Sequence, residues 1–160
     1  ARVQRSLRRN FQGYAVIPAP DVIGLGISAI GDVGGLYAQN TKKLSRYTQA
    51  IESGHLAIER GVECDRDDQI RRAVIHDLMC NFRVDIAAHE ARYGIDFGSY
   101  FAPDLALLDP LQAEGLVMIA PESIQATPIG ELFVRNLAIC FDRRLRDSGP
   151  KAGPTFSRTV

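Results

Sequence analysis

The sequence lacks an excess of charge of either sign. Lys and Arg together number 19, as do Asp and Glu, so the formal net charge at pH 7 is zero. Proteins that bind nucleic acid or an acidic membrane surface usually carry clustered basic charge, because both partners are densely anionic. We therefore expect neither nucleic acid nor a membrane surface among the partners of this protein.

Long hydrophobic runs are missing as well. No stretch approaches the roughly 20 apolar residues that cross a bilayer, so we expect no transmembrane segment. The opening phrase ARVQRSLRRNFQGY is basic, but it has neither the apolar centre nor the small-residue cleavage site of a secretory signal. The chain has no initiator Met and opens in a helix-like phrase, so we expect it to be part of something longer.

Cysteine is scarce, with three residues at positions 64, 80 and 140. An odd number without a close pair provides no disulfide framework, which makes a reduced, cytoplasmic setting the expected one. No CxxC or CxxxCxxC motif occurs, so no self-contained zinc or iron–sulfur site is predicted. We expect Cys140 in the core and Cys64 to be the accessible thiol, while Cys80 has no visible base beside it in the sequence.

The composition is otherwise that of a folded protein. Hydrophobic residues make up 46% and charged residues 24% of the 160 positions, which suits one ordinary domain or a small domain with an attachment. The first region, to about residue 38, combines the end of a helix with a short strand within residues 10–17. An apolar, glycine-rich run follows at residues 21–31, and we interpret it as a buried strand that leads into a ligand-facing loop.

The second region has a helical pattern. Thr41 is expected to cap a helix that ends before Gly54, and acidic residues open a second helix with an apolar stripe. That stripe consists of Ile70, Val74 and Leu78, with Ile75 and Met79 alongside. Further helices are predicted at residues 86–93 and 128–146, and Pro103 and Pro110 suit the first turns of two short pieces. A hairpin is predicted at about residues 116–127.

These elements predict an α+β fold. Its main part is a helical C-terminal domain at residues 39–147 with a small winged-helix-like hairpin, and residues 148–160 form a tail. In a DNA-binding winged helix, the helix before the wing enters the major groove and is basic. Here residues 99–115 contain Asp104, Asp109 and Glu114 and no Lys or Arg, which argues against DNA binding.

The remaining polar candidates carry no catalytic pattern. Gly24, Gly26 and Gly31 do not match the spacing of a dinucleotide-binding fingerprint. The three histidines, at positions 55, 76 and 89, are scattered, and we expect them at the surface or satisfied within the fold. The polar residues of the second helix are interpreted as its solvated face, and they are Arg71, Arg72, His76 and Asp77.

Several phrases of the sequence are similar to those of a single family. In chain order they are RNFQGY at 9–14, DVIGLGISAIG at 21–31, YAQN at 37–40, GHLAIERG at 54–61, VIHDLMCNF at 74–82 and VRNL at 134–137. Over nearly its whole length the chain resembles the C-terminal part of the bacterial oxygen-independent coproporphyrinogen III oxidases. These are radical S-adenosylmethionine (SAM) enzymes of haem biosynthesis.

The resemblance implies an activity that needs more than this chain. Enzymes of the family oxidatively decarboxylate two propionates of coproporphyrinogen III to vinyl groups, which gives protoporphyrinogen IX. A reduced [4Fe–4S] cluster cleaves SAM, and the radical that results abstracts a hydrogen atom from the propionate. The cluster ligands belong to an N-terminal TIM-like barrel and are absent here. We therefore expect the barrel of the same protein as a partner and the isolated chain to be inactive; the sequence does not identify the electron donor.

Few residue roles follow from the resemblance. Phe11 and Gln12 match positions on the second-SAM or substrate side of the family's site, and Ile30 matches a position that contacts the SAM bound at the cluster. We expect these three residues to bind cofactor, and no residue of this chain to be catalytic or to bind metal. The resemblance also implies that residues 1–38 are the end of the barrel region and that residues 39–147 cover the active site.

Two alternatives stay open. A related radical SAM protein would serve as a haem carrier or chaperone, although such paralogues usually differ at NFQGY and LMCNF, both intact here. A free-standing interaction module would need a polar first strand, whereas the apolar residues 22–30 would be exposed without the rest of a barrel.

Overall fold

A computed structural model describes residues 7–10, 13–17 and 19–148. The chain divides into two compact units between residues 70 and 71, and each unit mixes helix with antiparallel sheet. The α+β class is therefore confirmed. Within the described residues, no helix is long and apolar enough to cross a membrane.

The first unit is built on a three-stranded antiparallel sheet. Its strands β3 (Ile30–Val33), β4 (Leu36–Asn40) and β5 (Ile58–Glu63) lie in that order. They follow a small hairpin of β1 (Arg8–Asn10) and β2 (Gly13–Ala15), and helix α1 (Leu44–Glu52) connects β4 to β5. The β3–β4 turn consists of two glycines at positive φ, 59° and 85°, which is the backbone that a two-residue hairpin turn requires.

Several predictions for this unit were wrong. The run at residues 21–31 is not a buried strand, because only its last two residues enter β3 and Val22 forms an isolated bridge to Asp32. Ile23 and Leu25 are 77% and 84% exposed. The glycines beside them and Ser28, whose φ is 56°, turn the chain into a loop. The predicted helix end at residues 1–10 is a strand at 8–10, and its residues 1–6 lie outside the described residues.

Two further differences concern α1 and β5. Lys43, not Thr41, is the residue before α1, and Thr41 Oγ1 accepts from Lys43 N at 3.3 Å. Strand β5 was not predicted, because its sequence IERGVE has no alternation of apolar and polar residues. Strand β5 forms because it pairs with β4, and the local sequence does not predict that pairing.

Helix α2 (Arg66–Asn81) crosses the division between the units and leads into the second one. The second unit contains a sheet of β6 (Arg83–Asp85), β8 (Ser123–Ala126) and β7 (Val117–Ala120), in that order. Around it lie α3 (Ile86–Tyr93), α4 (Phe97–Tyr100), α5 (Ala102–Ala113), a 3₁₀ turn (Gly130–Phe133), α6 (Val134–Ile139) and α7 (Arg143–Asp147).

The buried side chains of α2 confirm its predicted stripe. Ile70, Val74 and Leu78 are 1%, 0% and 0% exposed. The large buried side chains of the second unit outside α2 are aliphatic and aromatic, and they include Val84, Phe97, Phe101, Leu108, Val117, Ile124, Leu137 and Phe141. Helix α3 and the 117–126 hairpin also lie where they were predicted, and Gly94 ends α3 at a φ of 62°.

The prolines and the last helix differ from the prediction. Pro103 does lie in the first turn of α5, but Pro110 lies inside that helix rather than opening a second piece. The predicted helix at 128–146 is broken into a 3₁₀ turn, α6 and α7. The break begins at Gly130, where an added Cβ would collide with the Leu116 carbonyl oxygen, and a new cap starts α7 at Asp142. As a result Leu132 is 83% exposed.

Candidate functional site

The glycine loop, residues 24–29, is held in shape by Asn40 and Tyr47. Asn40 Nδ2 donates to the carbonyl oxygens of Gly24 at 3.1 Å and Gly26 at 2.9 Å. The Gly26 backbone N–H donates to the Tyr47 hydroxyl at 3.0 Å. These bonds satisfy backbone groups that the loop cannot pair within itself. Asn40 belongs to the YAQN phrase, but the sequence does not predict this role, because nothing in that phrase indicates that Asn40 contacts Gly24 and Gly26.

The turn at Ser28 is supported from the sheet. Its backbone N–H donates to the Thr41 carbonyl at 2.9 Å, and its own carbonyl accepts from Gln39 Nε2 at 3.0 Å. Arg60 Nε in turn donates to Gln39 Oε1 at 2.7 Å, which fixes the amide of Gln39. A positive φ in a non-glycine residue is uncommon and persists when its surroundings hold it.

Ile30 lies where this loop enters β3. It is half-buried and pairs with Gln39 across the sheet. A Cβ on Gly24 would lie 2.8 Å from the Ile30 backbone, so only glycine allows the loop to pass so close. The exposed Ile23 lies directly before this loop, and the exposed Leu25 lies within it. The region thus combines an apolar surface with fixed backbone groups, a combination typical of a pocket wall for an organic cofactor.

Phe11 and Gln12, the other two predicted cofactor-binding residues, lie outside the described residues. Their described neighbours Asn10 and Gly13 are paired in the β1–β2 hairpin. The predicted cofactor role of Phe11, Gln12 and Ile30 stays a prediction.

The cysteines do not form a metal site. Cys80 and Cys140 are buried, Cys64 is half-buried, and all three are free thiols. Burial, together with the nearby charge of Asp104, raises the pKa of the Cys140 thiol, so that side chain is held as a neutral core group. Among the described residues, no group of three or more His, Cys, Asp or Glu is placed to hold a metal ion.

Cys80 does have an imidazole beside it. Its Sγ lies 3.6 Å from His76 Nε2, one helical turn earlier on α2. The thiol is fully enclosed, so a substrate cannot reach it in this arrangement. The sequence contained this neighbour at the spacing i and i+4, which places two side chains on the same face of a helix.

Asp77 joins the two histidines of this unit. Its Oδ2 lies 2.9 Å from His89 Nε2, and its Oδ1 lies 3.8 Å from His76 Nδ1. Burial would raise the pKa of Asp77, but the hydrogen bonds and charge of His76 and His89 outweigh it and hold that pKa well below its usual value. His89 is buried, as a histidine within the fold was expected to be, and it is hydrogen-bonded through Nε2. Its Nδ1, however, is buried without a partner among the described residues, so the expectation of a satisfied histidine holds for one ring nitrogen alone. Asp77 is not a simply solvated residue of α2.

The interpretation of Arg71 as part of a solvated face was wrong. Arg71 is buried and its Nη1 lies 2.7 Å from Asp104 Oδ1, a carboxylate with no exposed surface. Arg146 reaches the same oxygen at 2.8 Å. Arg71 also lies against the Phe101 ring, at 5.3 Å from its centroid. Asp104, one of the acidic residues used against DNA binding, is thus a core group neutralised by two arginines rather than a surface charge.

A second polar group lies where α2 ends and β6 begins. Asn81 Nδ2 donates to Asp77 Oδ1 at 3.4 Å, while Asn81 Oδ1 is buried and finds no hydrogen-bond partner among the residues that the structure describes. Phe82 follows at a φ of 57°. Arg83 Nη1 then donates to Gln125 Oε1 at 3.3 Å, and its Nε is buried without a partner.

Comparison with known proteins gives a consistent result. Residues 64–133 match the family described as the HemN C-terminal domain. The oxygen-independent coproporphyrinogen III oxidase of Salmonella typhimurium is 49% identical over 154 residues, which is 96% of this chain and 33% of that protein. The enzymes of that name from Escherichia coli and Thermostichus vulcanus are 47% and 39% identical, over 96% and 100% of this chain and 33% and 49% of theirs.

A solved structure gives the same answer. The coproporphyrinogen III oxidase (HemN) from Escherichia coli, described as a radical SAM enzyme, superposes with a TM-score of 0.87 at 44% identity, over 90% of this chain and 33% of that one. The chain thus spans between a third and a half of the relatives it matches here. The predicted resemblance is confirmed: residues 64–133 match the HemN C-terminal domain family, and nearly the whole chain is similar to a part of the oxygen-independent coproporphyrinogen III oxidases.

Proposed function

We propose that this chain is the C-terminal part of an oxygen-independent coproporphyrinogen III oxidase. The whole enzyme would convert two propionates of coproporphyrinogen III to vinyl groups and release protoporphyrinogen IX. The observation that carries this proposal is the 49% identity to a protein of that name over 96% of the chain, since identity at this level extends far beyond a shared fold.

The chain's own contribution would be a wall of the SAM site. The loop fixed by Asn40 and the half-buried Ile30 support packing against the apolar part of an adenosyl group, with Phe11 and Gln12 on the second-SAM or substrate side. SAM supplies a carbon radical to the reaction when it is cleaved. Residues 1–38 would be the end of the barrel region that contains this wall.

The residues of this chain do not fit an iron–sulfur cluster. The sequence contains no CxxxCxxC motif, and the described residues offer no three-ligand group. The cluster would therefore be held by the N-terminal barrel of the same protein, and we expect the isolated chain to form no product. The electron donor stays unassigned.

The second region would act as a cover for the active site. Residues 39–147 make up the proposed helical domain, and the three-stranded sheet of β6, β8 and β7 beside short helices supports its winged-helix-like description. The free cysteines support a reduced, cytoplasmic location.

The test is conversion of coproporphyrinogen III under anaerobic, reducing conditions with SAM. The parent full-length protein and the isolated chain would be assayed side by side for vinyl product and for 5′-deoxyadenosine. We expect both products from the full-length protein and neither from the isolated chain. A full-length protein with an intact cluster that forms no vinyl product would overturn the proposal. Haem binding by that protein would then favour the haem-carrier alternative.

A further inference from the structure

Arg83 is a half-buried cation on strand β6. Within the part of the chain that the structure describes, no carboxylate pairs with it, and its hydrogen bond goes to the neutral amide of Gln125 at 3.3 Å. Its Nε is enclosed and unpaired. Withdrawing a guanidinium from water without a counter-charge is costly, because neither hydration nor a carboxylate compensates its charge. Such a position favours an anion supplied from outside the chain.

Other arginines of the same unit are compensated within it. Arg71 and Arg146 both contact the Asp104 carboxylate. Arg92 lies over the ring of Tyr93, at 5.2 Å from its centroid. Arg83 therefore stands out by the combination of partial burial and a neutral partner, and not by its charge alone.

The segment of chain that contains Arg83 carries two further signs of an incomplete site. Among the described residues, four buried side-chain atoms have no hydrogen-bond partner, and three of them belong to a nine-residue stretch: Asn81 Oδ1, Arg83 Nε and His89 Nδ1. Phe82, directly before Arg83, has a φ of 57°, a strained conformation for an aromatic residue. Unsatisfied polar atoms and backbone strain are both concentrated at functional sites, since folding alone selects against them.

We propose that Arg83 binds a propionate carboxylate of the tetrapyrrole substrate. This inference rests on the proposed function, which supplies a substrate with four propionates, only two of which react. A guanidinium is the group best suited to a carboxylate, because its planar donors match the two oxygens. Gln125 fixes Nη1 and so orients the guanidinium. Arg83 is a substrate-positioning residue, and no proton or electron passes through it.

The geometry offers two variants and a matched control. Arg83→Gln removes the charge. Gln125→Glu keeps Arg83 but places a carboxylate beside its Nη1. This internal carboxylate then pairs with the guanidinium in place of a substrate carboxylate. Arg92→Gln removes an arginine of the same unit that already rests on an aromatic ring. All three changes are made in the parent full-length protein with its cluster reconstituted.

We expect Arg83→Gln and Gln125→Glu each to raise the KM for coproporphyrinogen III by about 10- to 100-fold, the loss of one charge-assisted contact. The KM for SAM should stay unchanged in both variants, and Arg92→Gln should match the wild type. If Arg83→Gln does not fold, the KM of Gln125→Glu for coproporphyrinogen III tests the inference by itself. An unchanged KM for the substrate in Gln125→Glu, or an equal rise in Arg92→Gln, overturns the inference.

A binding measurement separates this inference from the proposed function. Fluorescence titration compares coproporphyrin III with its tetramethyl ester, which lacks the carboxylates. We expect the wild type to prefer the acid by about tenfold or more and Arg83→Gln to lose that preference. A wild type that forms no vinyl product but keeps an Arg83-dependent preference refutes only the proposed function. A preference that survives Arg83→Gln refutes only the role of Arg83.

Discussion

Asp104 shows how one residue can join distant parts of a chain. It is a fully buried carboxylate on α5, and it accepts from Arg71 of α2 and Arg146 of α7 through a single oxygen. Arg71 also donates to the Phe141 carbonyl at 3.3 Å. A buried ion pair contributes little net stability by itself, but removing one member leaves a buried charge without compensation. The main effect of losing Asp104 would therefore be the uncompensated charge of the buried Arg71, which destabilises the fold.

We expect Asp104→Asn to lower the free energy of unfolding by about 3 kcal/mol, since Arg71 would remain buried beside a neutral amide. Asp109→Asn, an exposed carboxylate on the same helix, serves as the control and should change stability by less than about 0.5 kcal/mol. Urea unfolding followed by circular dichroism measures both. Equal midpoints for the two variants would show that Asp104 is not the group that holds these arginines.

At the scale of elements, the close approach of backbones decides where several of them end. Gly24 lets the glycine loop pass against Ile30, and Gly130 lets the chain after β8 pass against Leu116. The second contact coincides with the break of the predicted last helix, where the Gly130 N–H at the start of the 3₁₀ turn donates to the Thr127 hydroxyl. Neither glycine is needed for a turn with positive φ, so the sequence alone gives no sign that they are irreplaceable.

We expect Gly130→Ala to destabilise the protein by about 2 kcal/mol or more, because the new methyl group meets a backbone carbonyl that cannot move aside. Gly98→Ala is the matched control. Gly98 lies in helix α4, and its added Cβ would lie no closer than 3.8 Å to another group, so this change should be neutral or stabilise by up to about 1 kcal/mol. Thermal unfolding of both variants provides the comparison. A Gly130→Ala variant as stable as Gly98→Ala would mean that the two segments can separate at little cost.

The same elements indicate how far the sequence could be interpreted. The stripe of α2 and the ends of α3 followed from periodicity and from Gly94, because helix signals are local. Strands β5 and β6 could not be predicted in this way, because each forms by pairing with a strand that is distant in sequence. The burial of Arg71 was missed for the same reason, as Asp104 lies 33 residues further along. The cofactor-binding residues were predicted from the family resemblance, because no local feature of the sequence around Ile30 indicates that it contacts a ligand.

At the scale of the whole molecule, the first unit exposes much of its apolar surface. Ile17, Ile23, Leu25 and Leu56 are 75%, 77%, 84% and 79% exposed, and every residue of β5 is exposed. Exposed apolar surface of this extent usually marks an interface. Since the chain spans 33% of its Escherichia coli relative, the rest of the polypeptide is the natural cover for this surface in the proposed enzyme.

The isolated 160-residue chain should therefore be poorly soluble or oligomeric. Light scattering at increasing protein concentration measures this, and a shortened chain of residues 64–148 is the control, because it keeps α2 to α7 and omits the exposed β3–β5 sheet. We expect the apparent mass of the longer chain to rise with concentration and that of the shorter chain to stay constant. A longer chain that remains monomeric at high concentration would mean that the exposed apolar residues are covered within the chain itself. The proposed packing against an N-terminal barrel would then lack its main support, because no exposed apolar surface would remain for the barrel to bury.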